Sequence, residues 1–350
     1  MGKLFNYFEA ALAEKKSAFA VYRKPGENVV RAFFGYEGAG HNFEPNTQGF
    51  VFAPFSEGKK VFIPAESAVI LAESFDAGKN NESKFDTPET NLNHRAAFER
   101  LVGKSIDAIN SGQFEKLVCS RVEAVEVNDM DAIATFKKLA AMYPNAFCYC
   151  FFSPESGLWM GATPEQLLKI NGDMLSTVAL AGTQVYNENE KAVWQEKERQ
   201  EQQFVTDYIV GNLDGLTENV EVSAPYTFRA GNLVHIKTDI SAKINNVSLE
   251  KVVDALHPTP AVCGLPKAEA REFLIQHEGY NREYYAGYLG EVNTGQDNTQ
   301  TDLFVNLRCM KLNGNSVQLY IGCGITKDSD PEKEFFETVN KSMTMRRVLF

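Results

Sequence analysis

Between residues 116 and 181 the chain offers five strand patterns and a single helical one. The strand patterns cover 116–127, 147–152, 158–162, 167–170 and 174–181, and the helical one covers 130–143. A doubly wound fold needs strand and helix to alternate regularly. Runs of strands punctuated by helices predict instead an α+β fold with large antiparallel sheets. The rest of the chain keeps this grammar. Residues 1–72 read as a short helix followed by strands such as 18–22, 29–35 and 50–53, and a polar stretch, 76–93, reads as an exposed connector. Helical patterns cover 93–111, with Ala96, Leu101, Ile106 and Ile109 facing inward, then 187–213, 248–256 and 267–277. Strands at 284–292, 302–312 and 316–322 precede a last helix from about Pro331.

Charge narrows the function classes. The 350 residues carry a net charge of −11 with no basic block, which argues against a nucleic-acid or anionic-membrane surface. An anionic substrate therefore needs its own cluster of Arg, Lys and backbone N–H groups. No apolar run is long enough to span a bilayer, and the first residues lead into a charged amphipathic stretch with no signal-peptide pattern. The six cysteines are scattered through apolar runs without zinc spacing, and Cys148-Tyr149-Cys150 is too short for a redox pair. Reduced, buried thiols in a cytoplasmic protein are expected.

Two short segments carry paired acids. Glu198-Arg199-Gln200-Glu201 and Glu334-Phe335-Phe336-Glu337 each space two glutamates three apart, on one face of a helix. The first pair continues into Val205 and Tyr208, a stripe that should point inward. Inward carboxylates want a cation, and four on two helices suit a hard ion such as Mg²⁺. Either segment alone reads as a solvated helix turn. Other positions are equally ambiguous singly. Lys116 opens a strand and Glu165 leaves a proline turn, both ordinarily solvated. Gly182-Thr183 and Gly322-Cys323-Gly324 end apolar strands at small-residue turns, where a tight bend is the simpler reading. Arg308 lies mid-strand, where a buried guanidinium must reach the surface or meet an anion, and Lys341 stands four after Glu337, as in a helical ion pair.

Together these segments resemble the chorismate-utilising enzymes. The resemblance runs through Lys116-Leu117-Val118-Cys119-Ser120-Arg121, Gly161-Ala162-Thr163-Pro164-Glu165, Ala179-Leu180-Ala181-Gly182-Thr183 and Lys197-Glu198-Arg199-Gln200-Glu201. It continues with His257-Pro258-Thr259-Pro260-Ala261, Arg282-Glu283-Tyr284-Tyr285-Ala286-Gly287, Arg308, and the stretch from Gly322 to Glu337-Thr338. The order also fits the family, over about 93–350. Residues 1–90 are similar to the family's variable N-terminal part, and 91–350 to its chorismate-binding catalytic domain. The resemblance implies one α+β unit with antiparallel sheets face to face, helices outside, and a cleft holding chorismate with Mg²⁺.

In that family a nucleophile adds at C2 of chorismate while the C4 oxygen departs. By similarity Glu165 is the general acid on the C4 hydroxyl, which requires a raised pKa, and Lys116 is the base that activates water. Glu201 and Glu337 are the implied direct Mg²⁺ ligands, with Glu198 and Glu334 holding its water shell or a second position. Arg308, Lys341 and N–H groups near Gly322 and Gly324 are expected to bind carboxylate. Gly182, Thr183 and Ala261 line the pocket, and His235 matches the family in an orienting or proton-transfer role. Ammonia-using members generally carry glutamine at the Lys116 position, and some carry a lysine nucleophile where this chain has Ala181. Both positions point to water as nucleophile, and so to isochorismate formation, for menaquinone or a siderophore, by a monomer without a glutaminase subunit. Salicylate synthases share the lysine, so subsequent pyruvate elimination stays open as an alternative. A catalytically inactive chorismate-binding subunit would have lost these residues.

Overall fold

The computed structural model describes residues 2–350 apart from 39–46, 77–91, 129, 189, 232, 246, 296 and 298. Most of the polar 76–93 connector therefore lies outside the described residues. Two antiparallel sheets form the frame. The first runs, edge to edge, through Gly264–Leu265, Lys116–Glu126, Ser316–Ile325, Cys309–Asn313, Gly157–Thr163, Phe147–Ser153, Phe19–Arg23, Val29–Gly35 and Ala68–Ser74. The second runs through Thr217–Val222, Leu233–Ile244, Met174–Val185, Gln166–Asn171, Gln300–Val305, Tyr288–Thr294, Gly49–Ala53 and Val61–Pro64, and Tyr226–Ala230 also pairs with Leu233–Ile244. Strands from the first 74 residues thus belong to both sheets.

The strand Phe147–Ser153 shows why the sheets stack. Successive side chains point to opposite faces, and every residue of this strand is buried. Phe147, Tyr149 and Phe151 enter the core between the sheets, whereas Cys148, Cys150 and Phe152 meet the helical layer outside. Across the interior, the Phe147 ring centroid lies 4.3 Å from that of Phe304, and Phe52 lies 4.4 Å from Phe151. Outside the first sheet, Phe8, Phe136 and Met345 bring the helices Lys3–Glu14, Ala132–Met142 and Pro331–Leu349 onto it. The helix Glu196–Leu213 lays Val205, Ile209 and Leu213 into the main core beside Met174–Val185. All six cysteines are buried and unpaired.

Several expectations are corrected. The helix expected over 187–213 begins only at Glu196, because Gln195 and Glu198 cap it reciprocally. The strand expected over 284–292 starts at Tyr288. On the helix Leu92–Asn110, Ala96 is exposed, and Phe98, Leu101, Val102 and Ile109 form the buried stripe, with Ile106 partly buried. The single strand expected over 302–312 is two, Gln300–Val305 and Cys309–Asn313, because the chain passes from the second sheet to the first between them. Arg308 is therefore not mid-strand; it sits at this crossing with φ of 48°.

A second crossing runs beside it. Gly157–Thr163 belongs to the first sheet and Gln166–Asn171 to the second, so Pro164 and Glu165 also bridge the layers. The crossings are tied together, the Ala162 N–H donating to the Arg308 carbonyl at 3.0 Å and the Val305 N–H to the Glu165 carbonyl at 3.0 Å.

Candidate active site

Glu165 and Arg308 face a cavity of about 60 Å³ where the sheets meet. Glu165 is 4% exposed. Burial pushes its carboxyl from 4.5 up to about 7, against the opposing charges of Lys116, Lys341 and Arg308. Glu165 is thus built to hold a proton near neutrality.

Arg308 is positioned by neutral partners. It donates to Thr344 Oγ1 at 3.3 Å and to His235 Nε2 at 3.2 Å, and among the described residues no carboxylate lies in ion-pair range. His235 Nδ1 contacts the Gly182 carbonyl at 2.9 Å and Thr183 Oγ1 at 3.3 Å. The carbonyl must accept, so the proton sits on Nδ1 and Nε2 is left to accept from Arg308. Burial, with Arg308 and Lys341 adding, holds the imidazole well below its ordinary 6.5, hence neutral. His235 thus stands between the Gly182 carbonyl and the Arg308 guanidinium, holding the latter in place.

Behind this wall lies a run of lysine–glutamate pairs. Lys116, 0% exposed, places Nζ 3.0 Å from Glu201 Oε1, an ion pair without hydrogen-bond geometry. Burial would raise the Glu201 carboxyl, but Lys116, Lys197 and Lys341 outweigh it and hold it below the usual range. Lys341 Nζ reaches Glu337 Oε1 at 2.8 Å and donates to the Gly322 carbonyl at 3.0 Å. Lys197 donates to Glu334, which is 2% exposed. Burial and the neighbouring Glu337 push the Glu334 carboxyl up to about 7 despite Lys197. Two glycines make room here. A Cβ on Gly324 would lie 2.1 Å from Glu201 Oε1, and one on Gly322 would lie 2.8 Å from Tyr285 Oη.

Most of the expected residues meet in one place. Glu165, Gly182, Thr183, His235 and Arg308 line one side of the cavity, and Glu201, Ala261, Gly322, Gly324 and Lys341 also border it. Lys116 stands behind Glu201, off the wall itself. Glu334 and Glu337 lie on the last helix, engaged with Lys197 and Lys341. Glu198 is the exception. One of its oxygens accepts from the Gln195 N–H at 2.9 Å, closing the helix cap, while its Cβ packs beside Gly182. Among the described residues no three acidic, His or Cys side chains converge into a finished metal cluster. The sequence reading gave no role to Tyr285 or Lys197. Tyr285 lines the cavity and Lys197 takes charge from Glu334, Glu201 and Glu337. The signal was present, since both stand inside the motifs quoted above.

The profile of a family described as "Chorismate binding enzyme" matches residues 59–350. Isochorismate synthase MenF of Escherichia coli is 31% identical over 277 residues, 75% of this chain and 62% of that protein. The salicylate biosynthesis isochorismate synthase of Pseudomonas aeruginosa is 30% identical over 75% of this chain and 56% of its own length. The chain thus spans under two thirds of these two relatives. The solved structure of the Escherichia coli MenF superposes with a TM-score of 0.78 at 21% identity, covering 97% of this chain and 90% of that one. Anthranilate synthase component I from Streptococcus pneumoniae superposes with a TM-score of 0.68 at 19% identity, covering 93% and 89%. The fold of two antiparallel sheets with outer helices is shared with both. Among the described residues no helix is long and apolar enough to cross a membrane.

Proposed function

Since this chain belongs to the chorismate binding enzyme family, we propose that it is an isochorismate synthase, converting chorismate to isochorismate by water addition at C2 and loss of the C4 hydroxyl. One observation carries this reading. Glu165, buried and holding its proton to about pH 7, shares a site with Lys116, a fully buried lysine paired with Glu201. An acid for the C4 hydroxyl, which then departs as water, and a base for the water that adds at C2 are what this exchange requires. Lys116, rather than glutamine, and the small Ala181 favour water over ammonia as nucleophile.

The residues divide the work by position. Glu165 delivers its proton to the C4 oxygen. Lys116, in its neutral form, takes a proton from the water that adds at C2, and the ion pair with Glu201 balances the ammonium so formed. Arg308, oriented by His235, and Lys341 bind substrate carboxylate, with Gly182, Thr183, Ala261, Gly322 and Gly324 giving the ring close approach.

The acidic groups fit Mg²⁺. They supply only hard oxygen donors, and the raised carboxyl of Glu334 beside Glu337 marks negative charge that a divalent cation relieves. Glu201 and Glu337 are assigned as direct ligands, with Glu334 and Glu198 supporting the surrounding shell. The ion supplies charge neutralisation for a carboxylate of the substrate. Likeness to MenF favours menaquinone biosynthesis as the destination of the product, and we place the enzyme in the cytoplasm as a monomer without a glutaminase subunit. We also take residues 1–90 as the variable part of the fold and 91–350 as the catalytic domain.

The test is Mg²⁺-dependent consumption of chorismate with product identification. A reversible chorismate–isochorismate mixture with little pyruvate is expected. Stoichiometric pyruvate with salicylate would replace this reading by salicylate synthase, and turnover indifferent to EDTA would reject the metal assignment.

A further inference from the structure

Beside the catalytic cavity lies a second one of about 260 Å³, against about 60 Å³ in the first. Pro164 and Arg308 belong to both walls. The second cavity is also lined by Arg229, Ala230 and Gly231 at the end of the strand Tyr226–Ala230, and by Tyr143 and Thr344 beside Arg308. Its charge is unlike that of the molecule. In a chain of net charge −11, no Asp or Glu lines this cavity among the described residues, while two guanidinium groups do.

Neither guanidinium has a carboxylate within ion-pair range among the described residues. Arg229 lies over the Tyr186 ring, 3.7 Å from its centroid, and its Nε donates to the Gly231 carbonyl at 3.0 Å, so its two terminal nitrogens stay available. Arg308 is reached from both sides, one terminal nitrogen on Thr344 in this cavity and the other on His235 in the catalytic one. Arg347 adds positive charge near Tyr143. Much of the remaining wall is apolar, with Met142, Ala146 and Ala162 among it. An apolar chamber with a few fixed cations suits a small ring bearing carboxylates.

We propose that this second cavity is an antechamber, a carboxylate-binding site in which Arg229 captures the cyclic dicarboxylate substrate and passes it to Arg308 at the shared wall. The identity of that dicarboxylate as chorismate rests on the function proposed above.

The test compares wild type with Arg229→Gln, Arg229→Lys and Arg229→Glu. Arg229 is exposed on an outer strand, and unchanged melting temperatures verify that the variants fold. With Mg²⁺, Arg229→Gln is expected to lower kcat/KM roughly 10-fold at low ionic strength with kcat held within about twofold, and to flatten its dependence on salt. Arg229→Lys should recover part of the loss and Arg229→Glu should deepen it. A merely structural role would not reproduce that order or the change in salt slope. Calorimetric titration of chorismate in EDTA reads binding without turnover, and Arg229→Gln should weaken it by a similar factor. Equal kcat/KM, salt slope and affinity in Arg229→Gln and wild type would overturn the antechamber while leaving the proposed reaction standing. Arg229-dependent binding in a wild type that fails to consume chorismate would support the antechamber and overturn the reaction.

Discussion

Lys116 shows how far a single residue escapes periodicity. At the mouth of a strand a lysine ordinarily snorkels to water, yet this one is fully buried because Glu201, distant in sequence, meets it. Only the coincidence of several motifs marked it in advance. Replacing it by glutamine should cut isochorismate formation by roughly 10²–10⁴-fold, the usual worth of a general base, with a much smaller effect on chorismate binding. Near-normal turnover would remove Lys116 from the mechanism. Gly324 tests the same pair sterically. Gly324→Ala forces a methyl group to within 2.1 Å of Glu201 Oε1, so the Lys116–Glu201 contact must shift. Activity and Mg²⁺ affinity should both fall, and intact Mg²⁺ affinity by calorimetry would show the pocket yielding instead.

Glu165 links the site to pH. Its folded pKa of about 7 lies above the ordinary 4.5, and Glu334 behaves alike. Between these values the native state binds more protons than the unfolded chain, so stability contributed by these groups is fully present below about 4.5 and is lost as pH rises through about 7. Glu165→Gln should therefore flatten the fall in stability over that window, read by urea titrations at several pH values. In the wild type the forward rate should decline as pH rises through about 7, because the acid loses its proton. The variant should lose forward and reverse turnover together, since the group that protonates the leaving hydroxyl must deprotonate water on the way back. A one-sided loss would end the shared role.

Among the elements, the last helix binds most of the argument together, since Glu334, Glu337, Lys341 and Thr344 all stand on Pro331–Leu349. Its start is set by Asp330, whose carboxylate accepts from the Lys333 N–H at 3.0 Å with Pro331 at the first position. Asp330→Ala should cost about 1 kcal/mol of stability in urea unfolding and weaken Mg²⁺ binding, because Glu334 lies in the first turn. Unchanged stability would mean the proline alone suffices. This start was legible from the Asp-Pro pair, and the strands from 116 to 181 from their apolar runs. The pair Thr217–Val222 and Tyr226–Ala230 was not, because most of their residues are exposed and the alternation of Tyr226, Phe228 and Ala230 is too short to stand out. The late start at Glu196 had a signal that went unread. Gln195 and Glu198 have capping-box spacing, which places the N-cap three residues before Glu198.

For the whole molecule, the aromatic interior between the sheets holds the layers in place. Phe151 meets Phe52 and Phe50 across that interior. Phe151→Ala should destabilise the fold by about 3–5 kcal/mol, seen as a lower denaturation midpoint, with the unfolding slope kept if the layers melt together. Two independently melting transitions would show that they do not. Sequence could indicate large antiparallel sheets but not where the chain changes layer, because Asn306 and Arg308 at the crossing alternate with Val305, Leu307 and Cys309 as in one continuous strand. That concealed position matters most at the corner where Glu165 and Arg308 cross side by side. Their backbones are bonded to each other's strands, so the proposed proton donor and the proposed carboxylate anchor share a single splice of the chain. Because each crossing is anchored in both sheets, a change in how the sheets stack would be felt at both residues together.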